Sequence, residues 1–292
     1  MGEEDGEAWV ARLPALAADA LDRWSLSLDG PLEHGLVGLV LPVRRADGTL
    51  AVLKLQPVDE ETVGEPIALR AWNGRGAVRL LDHDPATGTM LLERLDPARS
   101  LDALHDDRVV TEVIADLLAE LTSHQAPAEL RTLAEVADGM LAQVPAAIGA
   151  LSDEADRRLL ADCAAALREV RPEPGDRLLH WDLHGGNVLA PVDPDARAAW
   201  IAIDPKPLAG DPAFELLPVL RNRWTSLVGT GDVPRALRHR FDLMTDRLAL
   251  DRPRAVRWTL ARVLQNVLWD VEDGESEIDP CQRAVVEALS GR

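Results

Sequence analysis

Lysine is nearly missing from this chain: of 31 basic residues only Lys54 and Lys206 are lysines, and the rest are arginine. Such a bias points to a GC-rich coding sequence, and a lysine kept against it calls for a local reason. Cysteine is just as scarce. Cys163 and Cys281 stand far apart without metal-ligand spacing, which excludes a disulfide framework and a zinc site. Positive charge is in deficit, since 50 acidic residues against 31 basic ones give a net charge of −19 at pH 7. Nucleic acids and anionic membranes are bound largely by Lys and Arg that neutralise phosphate, so this surface opposes both and favours cationic ligands. No run approaches the ~18 apolar residues of a membrane span. The acidic opening MGEEDGEAW lacks the basic flank and apolar core of a signal peptide, and a cytoplasmic protein is expected.

What is present is enough for a large core. Hydrophobic residues make up 47% of 292 positions and charged ones 28%, as in soluble globular proteins. Nothing separates the chain into independent halves, so two lobes sharing one cleft are expected. Residues 8–29 carry Trp9, Leu13, Leu16, Leu21 and Trp24 at helical spacing. Residues 36–43 and 50–55 read as strands around an Asp47-Gly48 hairpin turn. Residues 59–72 read as a helix bearing Glu60, Glu61 and Glu65, and 78–82 and 89–92 as two further strands. Asp96-Pro97 breaks this pattern, which sets the expected division: residues 1–95 form a small β-rich lobe and 96–292 a mostly helical one. Helices are expected near 99–124, 128–149, 152–171, 213–225, 232–248, 251–273 and 281–290, with short extended pieces at 177–187 and 200–204.

The segment LLHWDLHGGNVLA supplies His180, Asp182 and, five positions after the aspartate, Asn187. Such a loop lets a carboxylate face an attacking hydroxyl while an amide oxygen reaches a metal ion on phosphates. Gly185 and Gly186 permit the tight backbone between them. Seventeen residues beyond Asn187, the apolar run WIAI delivers Asp204, a hard oxygen ligand suited to Mg²⁺.

These motifs resemble the kinase-like superfamily, whose loop reads H-x-D-x-x-x-x-N with a metal-binding aspartate on the next hairpin. Protein kinases carry Arg before the catalytic Asp and Phe-Gly after the metal Asp. Here Trp181 and Pro205-Lys206 occupy those places, and HWDLHGGN is similar to the aminoglycoside phosphotransferase family. AIDPKPLAGDPAFE and LARVLQNVLWDVEDG resemble its streptomycin and hydroxyurea branch, with MLLERLD and RLLDHD also alike, so the resemblance covers nearly the whole chain. It implies an α+β, protein-kinase-like fold of two lobes. It also implies ATP and Mg²⁺, with Asp182 as base or hydroxyl-orienting group and Asn187 and Asp204 as metal ligands. Lys54 in AVLKL would pair the α- and β-phosphates. Its helix partner is expected at Glu65; Pro66 disfavours helical geometry there unless the helix starts at that point, and Glu61 stays open. Backbone groups of Glu93 and Leu95 would meet adenine, and Gly35 and Gly38 would lie in a phosphate-covering loop.

Residues Gln265, Trp269, Glu272 and Asp273 recur at spacings that place several on one helix face, with Asp270 beside them. With Glu215 and Asp211 of GDPAFE, these carboxylates would recognise the guanidinium or ammonium groups of a cationic aminoglycoside or aminosugar acceptor. Trp269 and Trp224 suit core positions better than cation-π contacts. A metal-hydrolase reading of His180, Asp182 and His184 leaves Asn187, Asp204 and Lys54 unexplained, and retention of all four polar positions argues against a nucleotide-binding pseudokinase.

Overall fold

The computed structural model describes residues 3–31, 33–34, 38–193 and 197–291. Helix α1 (Glu3–Arg23) leads into strands β1 (Leu26–Leu28), β2 (Glu33–His34), β3 (Leu39–Arg45) and β4 (Leu50–Leu55). Helix α2 (Glu65–Trp72) and strands β5 (Leu80–Asp84) and β6 (Thr89–Glu93) complete the small lobe. Its antiparallel sheet has the order β1-β3-β4-β6-β5, with β2 also pairing β3. The β3–β4 hairpin turns at Asp47-Gly48 as expected: Gly48 takes φ +86° and Asp47 Oδ1 accepts the Thr49 N–H at 2.9 Å.

The pleat then sorts β4. Ala51, Leu53 and Leu55 share one face and pack with Leu41, Val43, Leu91 and Ala20 of α1 in a small core. Lys54, out of phase with them, turns to the opposite face. Helix α2 begins at Glu65, later than residue 59, because Pro66 in its first turn needs no helical N–H partner. Residues 57–64 form a loop instead: Asp59 Oδ1 accepts the N–H groups of Glu61 and Thr62 at 3.0 Å each, the local side-chain bonding that competes with a helix.

The large lobe comprises β7 (Leu95–Ser100), α3 (Asp107–Leu121), α4 (Leu133–Ala150), α5 (Glu154–Val170), β8 (Arg177–Leu179), β9 (Val188–Pro191), β10 (Ile201–Ala202) and β11 (Leu208–Gly210). After these come α6 (Leu216–Arg221), α7 (Trp224–Gly229), α8 (Val233–Arg247), α9 (Arg252–Glu272) and α10 (Pro280–Ser290). One continuous core runs from Leu69 and Trp72 of α2 through Ile114, Leu167 and Phe241 to Trp258 and Leu264 of α9. Asp106, Asp153, Asp232, Asp251 and Asp279 each cap a helix N-terminus, so part of the acidity is structural.

Three further elements depart from the expected pattern. Residues 95–100 are a strand, not a helix start, because β7 pairs with β9 across the lobe. The expected helix 213–225 is interrupted where Arg223 takes a left-handed φ of 56°, splitting it into α6 and α7. The N-terminal helix stops at Arg23, and Leu26–Leu28 pairs with β3 instead.

Candidate active site

Two short antiparallel strand pairs meet here. Strand β8 ends at Leu179, paired with Leu208 of β11, and β9 and β10 pair through Leu189–Ile201 and Val188–Ala202. The loop from 180 to 187 therefore leaves one strand pair and enters the next, while 203–206 runs back alongside it. Main-chain bonds stitch the two: Ile203 N–H to Asn187 C=O at 2.9 Å, and Lys206 N–H to His180 C=O at 3.0 Å.

His180 is buried and stacks on Trp72, ring centroids 6.3 Å apart. Its Nε2–H donates to the Ile203 carbonyl at 3.0 Å, which leaves Nδ1 facing the Asp182 N–H at 3.4 Å. Burial lowers its pKa to about 4, so the ring is neutral at pH 7. It is a structural tie between the two segments. Behind the loop, the fully buried Glu215 carboxylate accepts the Trp181 N–H at 2.9 Å and also that of His180. Trp181 itself sits at φ 68°, strained for a bulky residue, and Glu215 holds it there. Burial pushes Glu215 up to about 7 despite these bonds.

With its backbone so fixed, the part-exposed Asp182 carboxylate projects from the loop. Asn187 donates Nδ2–H to the Asp182 C=O at 2.9 Å, which leaves its amide oxygen unused by that bond. Opposite lies Lys54, whose Nζ is 2.8 Å from both Glu65 oxygens and 2.6 Å from Asp204 Oδ1. Gln56 donates to Glu65 Oε2 at 2.6 Å. Burial works against the Lys54 charge, but the two carboxylates outweigh it and hold Lys54 above the ordinary lysine range. Burial likewise disfavours the Asp204 carboxylate, and Lys54 overcomes this and holds Asp204 below the usual range. Asp204 is 49% exposed at its side chain and takes φ 58°, a strained conformation of the kind stored at working sites. Of the two glutamates left open by the sequence, Glu65 is thus the one at Lys54.

Two adjoining hollows of about 490 and 400 Å³ meet at Asp182, Arg262 and Trp269, room enough for a drug-sized molecule. The smaller is walled by Glu61, Lys206, Glu272 and Asp273, and Asp270 lines the larger. Glu272 therefore lines the cleft. Asp270 is tied at 2.5 Å to Gln282. Gln265 is buried behind Trp181, accepting its indole N–H at 3.3 Å. Asp211 caps a short 3-10 turn and pairs with Arg254 at 2.6 Å. Neither Asp211 nor Glu215 is among the side chains around the hollows: a carboxylate already committed to N–H groups or to an arginine has little left for an acceptor. Trp269 is 38% exposed and lines both hollows, so it is no core residue. Trp224 lines the larger one.

Of the nucleotide-side residues, the Glu93 N–H donates to Arg79 C=O at 3.0 Å and its side chain pairs with Arg197, while Leu95 opens β7. Gly38 passes so close to β4 that a Cβ would stand 2.9 Å from the Leu55 carbonyl; Gly35 lies outside the described residues. Among the described residues no group of three or more His, Cys, Asp and Glu side chains could hold a metal, so Asn187 and Asp204 would have to share an ion with a ligand's oxygens. That suits Mg²⁺, which keeps waters and phosphate oxygens around one or two protein ligands.

Residues 23–274 match the family model described as aminoglycoside/hydroxyurea antibiotic resistance kinase. The chain belongs to that family. Streptomycin 6-kinase of Streptomyces glaucescens is 55% identical over 288 residues, covering 99% of this chain and 92% of the relative. Hydroxyurea phosphotransferase of Kitasatospora aureofaciens is 57% identical over 293 residues, covering 100% of this chain and 83% of the relative. Among solved structures, a thermostable mutant of aminoglycoside phosphotransferase APH(4)-Ia in ternary complex with ADP and hygromycin B aligns at TM-score 0.64. At 13% identity over 94% of this chain and 97% of that one, it shows a shared fold. The chain is accordingly a phosphotransferase of the two-lobed kinase type. Among the described residues no helix is long and apolar enough to cross a membrane.

Gln56 and Arg262 carried no signal in the sequence. Arg262 is buried beneath Trp181, Trp269 and Phe214, with its guanidinium 5.0–5.6 Å from the three ring centroids. It bonds Gln265 at 2.6 Å and Asn266 at 3.0 Å and has no carboxylate in ion-pair contact among the described residues. Burial lowers it to about 10, still charged at pH 7. An apolar surround with one buried arginine is legible only once three distant segments are assembled.

Proposed function

We propose that this kinase transfers the γ-phosphoryl group of ATP to a hydroxyl of a small cationic acceptor, with streptomycin the foremost candidate. The observation that carries the reading is the part-exposed Asp182 carboxylate, which lines a cleft walled by Glu61, Glu272 and Asp273. Those carboxylates match guanidinium and ammonium groups, and streptidine carries two guanidiniums. The relatives named streptomycin 6-kinase support the substrate, and the ADP bound in the hygromycin complex supports the donor. We divide the chain at 95/96 into a nucleotide-binding and an acceptor-binding lobe.

In this reading Asp182 orients the acceptor hydroxyl and takes its proton as the oxygen closes on phosphorus. The bond from phosphorus to the β,γ-bridging oxygen breaks with its electron pair leaving on ADP, and the proton passes on to solvent. Lys54, fixed in its charged form, binds the α- and β-phosphates while Glu65 and Gln56 hold it in place. Asn187 and Asp204 would hold Mg²⁺, which when bound neutralises charge on the donor's phosphates. Glu93 and Leu95 present backbone groups to adenine, and Gly38 belongs to the loop that covers the phosphates.

A second reading has a specific basis: the hydroxyurea phosphotransferase relative is equally similar, and hydroxyurea carries no charge for the acidic wall. An aminosugar such as glucosamine is a third acceptor to try. Enzyme and MgATP are incubated with streptomycin, hydroxyurea, glucosamine and kanamycin singly, and phosphate transfer is followed by mass. Streptomycin is expected to gain phosphate, and Asp182→Asn to lose 10²- to 10⁴-fold in turnover with nucleotide affinity unchanged. Transfer to a neutral acceptor alone would remove the cationic substrate but leave the kinase.

A further inference from the structure

We propose that Lys206 is a catalytic residue whose ammonium donates to the phosphoryl group as it passes from ATP to the acceptor; this rests on the roles given above to Asp182 and Asp204. Its main chain is anchored, since the Lys206 N–H donates to the His180 carbonyl at 3.0 Å, two residues before Asp182. Its Nζ lies 3.5 Å from Asp182 Oδ2 and 3.8 Å from Glu61 Oε2. Among the described residues it is the only basic group within ion-pair distance of the Asp182 carboxylate.

The two lysines of the chain differ in one decisive respect. Lys54 meets three carboxylate oxygens at 2.6–2.8 Å on the nucleotide side and is assigned above to the α- and β-phosphates. Both oxygens near Lys206 stand beyond the ~2.7–3.2 Å of an N–H···O bond. Its ammonium is held at the cleft by charge but keeps its donors for an incoming group. The side chain is 35% exposed and lines the hollow that Asp182, Glu272 and Asp273 share.

The charge balance there demands such a group. The transferred phosphoryl spreads negative charge over three oxygens, and it must arrive among Asp182, Glu61, Glu272 and Asp273. Lys54 stands with Glu65 and Asp204 on the nucleotide side, and Arg262 is buried beneath Trp181, Trp269 and Phe214, bonding Gln265 and Asn266. Lys206 neutralises the arriving oxygens from the acceptor side. It changes no bond and keeps its own protons: the acceptor's proton goes to Asp182 and the electron pair leaves on ADP. A compact ammonium fits between Glu61 and Asp182 where a guanidinium fork would have to bridge them, which accounts for a lysine in a chain otherwise built with arginine.

Lys206→Met, Lys206→Arg and Lys206→Ala are compared with the wild type on whichever of streptomycin and hydroxyurea the wild type phosphorylates. Calorimetry measures binding of ADP alone and of ADP with aluminium fluoride and acceptor, a planar mimic of the phosphoryl in transit. For Lys206→Met, kcat is expected to fall 10²- to 10³-fold and the aluminium fluoride complex to weaken comparably, with KM for ATP, affinity for ADP and melting temperature unchanged. Ethylamine should restore part of the activity of Lys206→Ala, and Lys206→Arg should remain impaired. A kcat within threefold of wild type, or equal weakening of ADP and of the aluminium fluoride complex, overturns the role of Lys206 and leaves the kinase reading standing. A wild type that phosphorylates no acceptor defeats that reading and this proposal together.

Discussion

His180 and Glu215 hold neighbouring peptide groups of one loop, Glu215 the N–H groups of His180 and Trp181 and the His180 ring the Ile203 carbonyl and the Asp182 N–H, and they titrate in opposing senses. His180 is held at about 4 by burial; an unfolded histidine near 6.5 binds a proton first, so His180 adds stability above pH 6.5 that is lost as pH falls towards 4. Glu215 is raised to about 7 by burial; it adds stability below about 4.5 that is lost as pH rises to 7. Each shift corresponds to about 3 kcal/mol, and between roughly pH 4.5 and 6.5 the two cancel. Thermal melts across pH 4 to 7.5 should therefore show a smaller slope in wild type than in either variant. Relative to wild type, His180→Asn should lose stability as pH rises through this window, and Glu215→Gln should gain it. Parallel profiles for all three proteins would mean that one of these groups does not titrate as burial dictates. The Asp182 and Asn187 pair was legible because its spacing alone restricts the loop. The role of Glu215 was not: the glutamate of GDPAFE reads as an acceptor-binding carboxylate, and only assembly reveals the two loop N–H groups it serves instead.

At the scale of elements, legibility followed the range of the interaction that decides each one. The Asp47-Gly48 hairpin and the strand carrying Lys54 depend on neighbours and were readable. Strand β7 depends on β9, almost a hundred residues later in the chain, and was read as a helix start. Residues 59–64 were read as the first part of a helix from their glutamates, and their being a loop has a consequence: Glu61 stands away from Lys54 and near Lys206 at 3.8 Å, closing the cleft from the small lobe. The end of α9 closes it from the other side. Glu272→Gln and Asp273→Asn should each raise KM for streptomycin about tenfold, because a charge-assisted hydrogen bond contributes roughly 1.5–3 kcal/mol, and leave KM for ATP alone. Asp270→Asn should act differently, since Asp270 already accepts from Gln282 at 2.5 Å; its effect should appear in melting temperature. Equal KM effects from all three substitutions would remove the distinction between wall and scaffold.

For the whole molecule, a net charge of −19 sets a long-range field whose sign differs for the two substrates. Among the described residues, Asp106, Asp153, Asp232, Asp251 and Asp279 are spent on α-helix caps, but caps contribute to the field at a distance as any other charge does. A cationic acceptor is drawn in, and the nucleotide, anionic even with its metal, is repelled. Electrostatic steering changes association rates by about 10- to 10³-fold and is lost as salt screens it. Raising ionic strength from about 0.01 to 0.1 M shortens the screening length from ~30 to ~10 Å, which spans the approach to the cleft. With ATP saturating, kcat/KM for streptomycin should fall severalfold over that range, whereas kcat/KM for neutral hydroxyurea should stay flat. With acceptor saturating, kcat/KM for ATP should rise. Three responses of different sign from one enzyme separate steering from any general effect of salt on folding or on the chemical step, which would move all three together. If streptomycin and hydroxyurea respond alike, the acidic surface serves solubility alone and the selection of a cation rests on Glu61, Glu272 and Asp273 at short range.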